Sequence, residues 1–259
     1  MRGTADDNGA AGRRPAWASW AASGAWLAFA GLAAAVLLGH GGPILTDRAL
    51  HAWASDHRPP VLVAAARVLT STGTGVIPYV LVATAWLLAV RDRRRRVVAA
   101  LLALVCLATG QAARYGVMAL AGRARPPHQD WLTQASGWSF PSGHTTTSAL
   151  TAGLVILAIS VRAPRGRLPL YVAVACWGAG VGLTRILLGV HWSTDVLGGW
   201  LFAAGWLGVW LCTAGGLLPA HPEPGTGPRA ESGDIPLVPA TRAAHHRGSG
   251  TDRSAGPGH

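Results

Sequence analysis

The sequence predicts an all-α, polytopic membrane fold of six transmembrane helices, with an outward-facing helix-bundle core. Three observations carry that expectation. Half of the 259 residues are hydrophobic and only 13% are charged, against about 25% charged in soluble domains. The apolar residues gather into runs near the ~20 residues that cross a bilayer. The charges gather in the two ends of the chain and in short clusters between runs.

Residues 1–16 are polar and carry Gly and Arg, a composition that cannot bury a core, so they read as a disordered tail. The first apolar run, 17–39, is too long for the core of a signal peptide and lacks a clear cleavage site; it is the first span. A polar segment, 40–60, follows with His40, His51, Asp56, His57 and several Gly and Pro. Val61 to Thr72 has the pattern of a shorter amphipathic helix. The second span runs from Gly75 to Val90 and ends at the dense basic turn Arg91–Arg96. The third covers 97–119, and a polar loop occupies 120–140. The fourth begins near Ser142 and ends near Val161. Arg162, Arg165 and Arg167 mark the next turn, and spans at 169–188 and 191–214 complete the set. Residues 215–259 are rich in Pro, Gly, Ser and Arg and read as a second disordered tail. The domain organisation is therefore one membrane domain, 17–214, between tails at 1–16 and 215–259. There is no tandem repeat.

Side-chain chemistry refines this layout. Trp17, Trp20, Trp53, Trp131, Trp138 and Trp192 fall near run ends, where interfacial Trp belongs. Trp86 and Trp206 lie inside runs and read as packing residues. Cys106, Cys176 and Cys212 sit in apolar stretches and read as small buried hydrophobes. No Cys or His spacing suits a metal or a disulfide framework.

The formal net charge is +11, and all 22 basic residues are Arg. A nucleic-acid partner is disfavoured, because a basic patch concentrates its charge on one face, whereas here apolar spans interrupt it. Short Arg-rich loops stay in the cytoplasm. The 91–96 and 162–167 turns and both termini then lie inside, as six spans require. The segments 40–74, 120–140 and 189–191 lie on the outer face of a multi-pass protein of the cell membrane.

Three stretches on that outer side carry groups suited to phosphate chemistry. In Thr184-Arg-Ile-Leu-Leu-Gly-Val-His-Trp-Ser-Thr-Asp195, His191 and Asp195 share a face if the segment is helical. A carboxylate on one ring nitrogen fixes the tautomer and leaves the other as a nucleophile. Arg185 can return across the Gly189 turn as a fork-shaped anion ligand. In Phe140-Pro-Ser-Gly-His144, Pro141 suits the first turn of a helix. Ser142, Gly143 and His144 then offer N–H groups to an anion, and His144 can pass a proton to a leaving oxygen. In Gly122-Arg-Ala-Arg-Pro-Pro127, Arg123 and Arg125 can both point into one anionic pocket. Each stretch alone also has a plain reading: an interfacial loop, a capped helix, a basic membrane flank.

Together the three resemble the type 2 phosphatidic acid phosphatase family, the lipid-phosphatase branch related to vanadium haloperoxidases. Its signature reads K-x6-R-P, P-S-G-H and S-R-x5-H-x3-D. Arg125-Pro126, Pro141 to His144, and Arg185, His191 and Asp195 match it in order and spacing. The resemblance covers roughly 40–212. It implies a metal-independent phosphatase, without a cofactor, that hydrolyses a lipid phosphate or diphosphate monoester. The resemblance makes His191 the nucleophile that forms a phosphohistidine, Asp195 its orienting partner and His144 the acid and base. Arg125, Arg185, Ser142 and the Gly143 N–H would hold the phosphoryl oxygens, with Arg123 as an extra ligand. The implied partners are the lipid bilayer and a lipid phosphate of phosphatidate, isoprenyl or phosphatidylglycerol phosphate type; the sequence identifies no protein partner.

Two positions depart from the signature. Thr184 replaces a Ser and keeps its hydroxyl. Met118 stands where the family has Lys, and this chain has no Lys at all. Arg114 lies one helical turn earlier. A missing cation keeps two alternatives open: a phosphotransferase using the same phosphohistidine, or an inactive membrane protein that binds lipid phosphates.

Overall fold

The computed structural model describes residues 16–162 and 165–214; the tails expected beyond them fall outside the described residues. Eight α-helices and one 3-10 turn make up the described chain. The helices are α1 (Ala16–Leu38), α2 (Asp47–Asp56), α3 (Pro60–Ser71), α4 (Val76–Ala89), α5 (Arg93–Ala121), α6 (Gly143–Arg162), α7 (Arg167–Leu187) and α8 (Ser193–Ala214). The 3-10 turn is His128–Asp130. The all-α expectation therefore holds for the described residues, in which no strand occurs.

Five helices are long and apolar enough to cross a membrane: α1, α5, α6, α7 and α8. The sixth crossing differs from the expectation. The Val76–Ala89 helix has 14 residues, which extend only ~21 Å at 1.5 Å per residue, short of a ~30 Å hydrocarbon core. The segment read as a separate amphipathic helix supplies the rest. α3 and α4 pass the same length and hydropathy test as a pair, bent by 59° at the break between them.

Packing shows that the pair continues in one direction. Along α3, Val63 clusters with Leu188 at the C-terminal end of α7. Further along, Thr70 meets Arg185, and Gly73 lies against Val181. α3 therefore runs antiparallel to α7, from its end toward its middle. α4 then carries on, and its Trp86, Ala89 and Val90 pack with Ala99, Ala100 and Ala158 at the far ends of α5 and α6. A break in a span leaves backbone groups unsatisfied, which is tolerated where the break lines a cavity. Thr74 and Gly75 at this break do line one.

The basic cluster also differs in detail. Arg93–Arg96 form the first turn of α5 rather than a turn before it. Four cations at the positive end of a helix dipole are locally unfavourable. Asp92 offsets them as the N-cap, accepting from the Arg95 N–H at 2.8 Å.

The long helices carry apolar residues on their outward faces as well as their inward ones. Leu27, Leu101, Leu120, Val172 and Leu183 are all exposed, as lipid-facing residues of a span would be. Inward contacts use small residues and aromatics. Gly205 and Gly208 of α8 lie against Trp26 and Ala22 of α1. Phe29, Phe140 and Phe202 form a buried cluster with Trp26 that joins α1 to α8 and to the start of α6. Trp86 is buried as expected, but Trp192 is buried too, since its Nε1–H donates to the Ala124 carbonyl. Of the cysteines, only Cys106 is buried; Cys176 and Cys212 are exposed on outward helix faces, where lipid rather than protein covers an apolar thiol.

Candidate active site

The 122–143 and 188–193 connections lie at one end of the bundle, the α3–α4 break lies further in, and a cavity of about 550 Å³ opens among them. Arg125, Gly143, His144, Arg185 and His191 line it, with Thr74, Gln111, Arg114 and Met118. No Asp or Glu does. The sequence-predicted residues thus meet at one place, with exceptions given below.

His191 sits in the loop before α8, not on a helix with Asp195 as expected. Gly189 makes the preceding turn at φ +73, and a Cβ there would run into the Asp130 carbonyl, so only glycine fits. Trp192 caps α8, its carbonyl accepting from the Val196 N–H at 3.4 Å. Asp195, in the first turn, reaches back to accept the Trp192 N–H at 2.8 Å, as the reciprocal arm of a capping box does. The same Oδ2 faces His191 Nδ1 at 3.4 Å and accepts a hydrogen bond from the Ser139 hydroxyl.

The other ring nitrogen faces the cavity. His191 Nε2 lies 2.9 Å from Arg125 Nη1. A guanidinium only donates, so Nε2 is the acceptor and the proton of the neutral ring is on Nδ1. That is the tautomer a nucleophilic Nε2 requires. Burial pushes the His191 pKa down to about 4, opposed by the Asp195 hydrogen bond and reinforced by the Arg125 and Arg185 charges. The ring is therefore neutral at physiological pH.

Arg125 is held by the loops around it. Its Nε donates to Gly137 O, Nη1 to Val190 O, and Nη2 to Ser136 O and Trp138 O. With His191 these occupy all five of its N–H groups. An arriving phosphoryl group receives its hydrogen bonds only by displacing one of these acceptors, and His191 is the side-chain acceptor among them that lines the cavity. Burial also lowers the Arg125 pKa, opposed by the Asp195 charge and reinforced by that of Arg114. Arg185 is freer: Nη1 donates to Thr70 Oγ1 at 3.0 Å, while Nε has no partner.

α6 begins at Gly143, so Pro141 lies before the cap rather than in the first turn, after a cis Phe140–Pro141 bond. Ser142 is the cap residue, its carbonyl accepting from the Thr146 N–H at 2.9 Å. Its own N–H donates to the Asp195 carbonyl at 3.1 Å, and its hydroxyl accepts from Thr145 Oγ1. Ser142 is fully buried and does not line the cavity. It joins α6 to α8 and leaves the Gly143 and His144 N–H groups for an anion. His144 Nε2 lies 3.4 Å from the Thr74 hydroxyl at the broken span.

Arg123 corrects the expectation of a phosphate ligand. It is fully buried. Nη1 donates to Asp195 Oδ1 at 2.6 Å and to Thr194 Oγ1, and Nη2 to Asp47 Oδ2 at 2.6 Å and to Gly42 O. Two carboxylates hold it behind His191, away from the cavity. Asp47, at the start of α2, was not singled out in the sequence. Burial pushes its carboxyl up, but backbone N–H groups of Thr194 and Ile44 and hydroxyls of Ser193 and Thr194 outweigh that and hold it below the ordinary carboxylate range. His128, Asp130 and Trp131 are likewise structural. Asp130 pairs with His51 at 2.9 Å, Trp131 donates to Pro126 O, and His128 packs on Trp131.

Comparison with known proteins agrees with this geometry. Residues 99–216 match the family model described as the PAP2 superfamily. The chain is similar to that superfamily over these residues, a little under half of its length. It is 38% identical over 97 residues to a lipid A 1-phosphatase from Rhizobium etli, covering 34% of this chain and 38% of that protein. It is 35% identical over 83 residues to phosphatidylglycerophosphatase B from Escherichia coli K12, covering 30% and 32%. The chain thus spans about a third of the length of these curated relatives. Its fold matches the crystal structure of a transmembrane PAP2-type phosphatidylglycerolphosphate phosphatase from Bacillus subtilis. The TM-score is 0.63 at 24% identity, over 74% of this chain and 94% of that one. Five helices long and apolar enough to cross a membrane, together with that shared fold, support a multi-pass membrane protein.

Replacing Arg123 by Gln strands two buried carboxylates. Loss of one partner from a buried pair costs ~3–5 kcal/mol, so Arg123→Gln should lower thermal stability in detergent far more than Arg67→Gln. Arg67 is exposed and makes one hydrogen bond, to Leu132 O.

Proposed function

We propose that this protein is a membrane-embedded, metal-independent phosphatase that hydrolyses a lipid phosphate or diphosphate monoester through a phosphohistidine. The single observation that carries this reading is the orientation of His191. Its Nδ1–H is directed at Asp195, and its Nε2 lone pair is directed into a cavity lined by arginines and free of carboxylates.

In the proposed reaction, the phosphoryl oxygens replace His191 Nε2 as acceptors of the Arg125 Nη1 proton, which frees Nε2 to attack phosphorus. Asp195 stabilises the imidazolium that forms. His144 gives a proton to the departing alkoxide, then takes one from water for the second displacement at phosphorus. Arg185, the charge of Arg125 and the Gly143 N–H stabilise the phosphoryl oxygens. That cationic field is what makes a metal dispensable. The named activities of the relatives support a lipid phosphate as substrate, and phosphatidate, isoprenyl and phosphatidylglycerol phosphates fit the same chemistry. Transfer to an alcohol acceptor would use the same intermediate. In the proposed orientation both termini are cytoplasmic and the cavity opens on the outer face. The arginines at 91–96 and 162–167, at the opposite end of the bundle, support it.

Purified protein should release phosphate from one or more of these lipids in EDTA, with vanadate blocking release and His191→Ala abolishing it. No release by folded, monodisperse protein would sink the reading. The pH profile gives a second check. Only neutral His191 has a lone pair, and its pKa is lowered to about 4. The acid limb of kcat/KM that belongs to the nucleophile should therefore lie well below the ~6.5 of an ordinary imidazole. For orientation, a cysteine placed at Trp138 should react with a membrane-impermeant thiol reagent on intact cells, and one at Asp92 only after lysis. Native Cys106, Cys176 and Cys212 would be replaced first.

A further inference from the structure

The proposed reaction leaves one cation of the cavity without a task. Arg114 lies in α5 and is only 4% exposed. An ionised side chain inside a span is costly unless something offsets its charge. Among the described residues no carboxylate forms an ion pair with Arg114. Its Nε is buried without a partner. Nη1 donates to the Met118 thioether at 3.3 Å, a weak acceptor. The Tyr115 ring also lies against it, 3.7 Å from the guanidinium carbon to the centroid, and Tyr115 is 57% exposed.

The guanidinium opens on the same cavity as Arg125, Arg185, His144 and His191. It also lies against the first residue of α6: a Cβ on Gly143 would stand 3.2–3.5 Å from three of its atoms. Glycine at 143 therefore lets the guanidinium sit beside the N–H groups at the start of that helix. A buried, unpaired guanidinium and a free helix N-terminus converge on one point, and only an anion satisfies both.

We propose that Arg114 is a direct ligand of the reacting phosphoryl group and supplies, from one helical turn earlier on α5, the cation that Met118 does not. This rests on the phosphatase reading. Met118 serves as the prop. Its thioether receives Arg114, and its methyl group lies beside Gly137. A lysine at 118 would set a second charge against Arg114 and displace it.

The test is a residue swap, read by phosphate release from one lipid monophosphate and by vanadate inhibition. Arg114→Met removes a buried unpaired charge and keeps the volume, so the fold should survive; thermal unfolding in detergent checks this. It should lower kcat/KM on the order of 10²-fold, the scale for losing one charge-stabilising donor, and weaken vanadate inhibition in parallel. Met118→Lys alone should lower activity. Arg114→Met with Met118→Lys should recover at least about tenfold over Arg114→Met, as expected if the cation's charge rather than its scaffold matters. Two results would overturn the proposal: wild-type kinetics for Arg114→Met, or a loss with unchanged vanadate affinity and no recovery in the swap. If the wild type releases no phosphate, the phosphatase reading fails. Vanadate binding by wild type and Arg114→Met then still decides whether Arg114 holds an anion.

Discussion

One buried guanidinium, shared by two carboxylates, organises the catalytic end of this bundle. Arg123 follows directly on the left-handed Gly122 that ends α5, and it holds Asp47 of α2 and Asp195 of α8 at 2.6 Å each. Its own carbonyl accepts the Ser139 N–H, and the Ser139 hydroxyl returns to Asp195. Asp195 is thereby fixed from four directions: Arg123, Ser139, the Trp192 N–H and His191. A buried carboxylate with fewer partners would favour its neutral form. Held this way it stands fixed behind His191, and the ring presents Nε2 to the cavity in one tautomer. The energetic stake is lopsided, because a complete buried network gives modest net stability while a broken one is costly.

The second constraint is the bilayer. Backbone within it must be hydrogen-bonded or face a cavity, and this chain puts its one broken span where the cavity is. The α3–α4 break brings the Thr74 hydroxyl to His144 and Thr70 to Arg185. The cavity gathers three guanidinium groups and keeps its one nearby carboxylate shielded behind an imidazole. Such an arrangement is poor at holding itself together and well suited to receiving a dianion. The cost of like charges close together is offset when phosphate arrives, which ties binding to the chemistry it serves.

Much of this was legible in the sequence. Long apolar runs gave α1 and α5 to α8 to within about four residues at either end, because span length is a hard physical limit. The three short stretches brought His144, His191, Asp195, Arg125 and Arg185 to one site, because motif spacing reflects a fixed local backbone. The rest depends on pairing across distance. Arg123 reads as another basic residue beside Arg125 until Asp47, 76 residues away, is seen against it. Asp47 itself stands alone near the start of a short helix, with no periodicity to mark it. Ser142 looks available until its N–H is found on Asp195 O. The broken span was misread because α4 is apolar enough to look complete, and only its length betrays that it is half of something.

The central claim is that His191 takes the phosphoryl group. Mixing the protein with a lipid phosphate labelled at phosphorus, then quenching in alkali and mapping the label by peptide, tests this most directly. The account predicts label on the peptide containing His191, stable to alkali and lost in acid, and none in His191→Ala. Turnover with no labelled protein under single-turnover conditions, or label on another side chain, would contradict it.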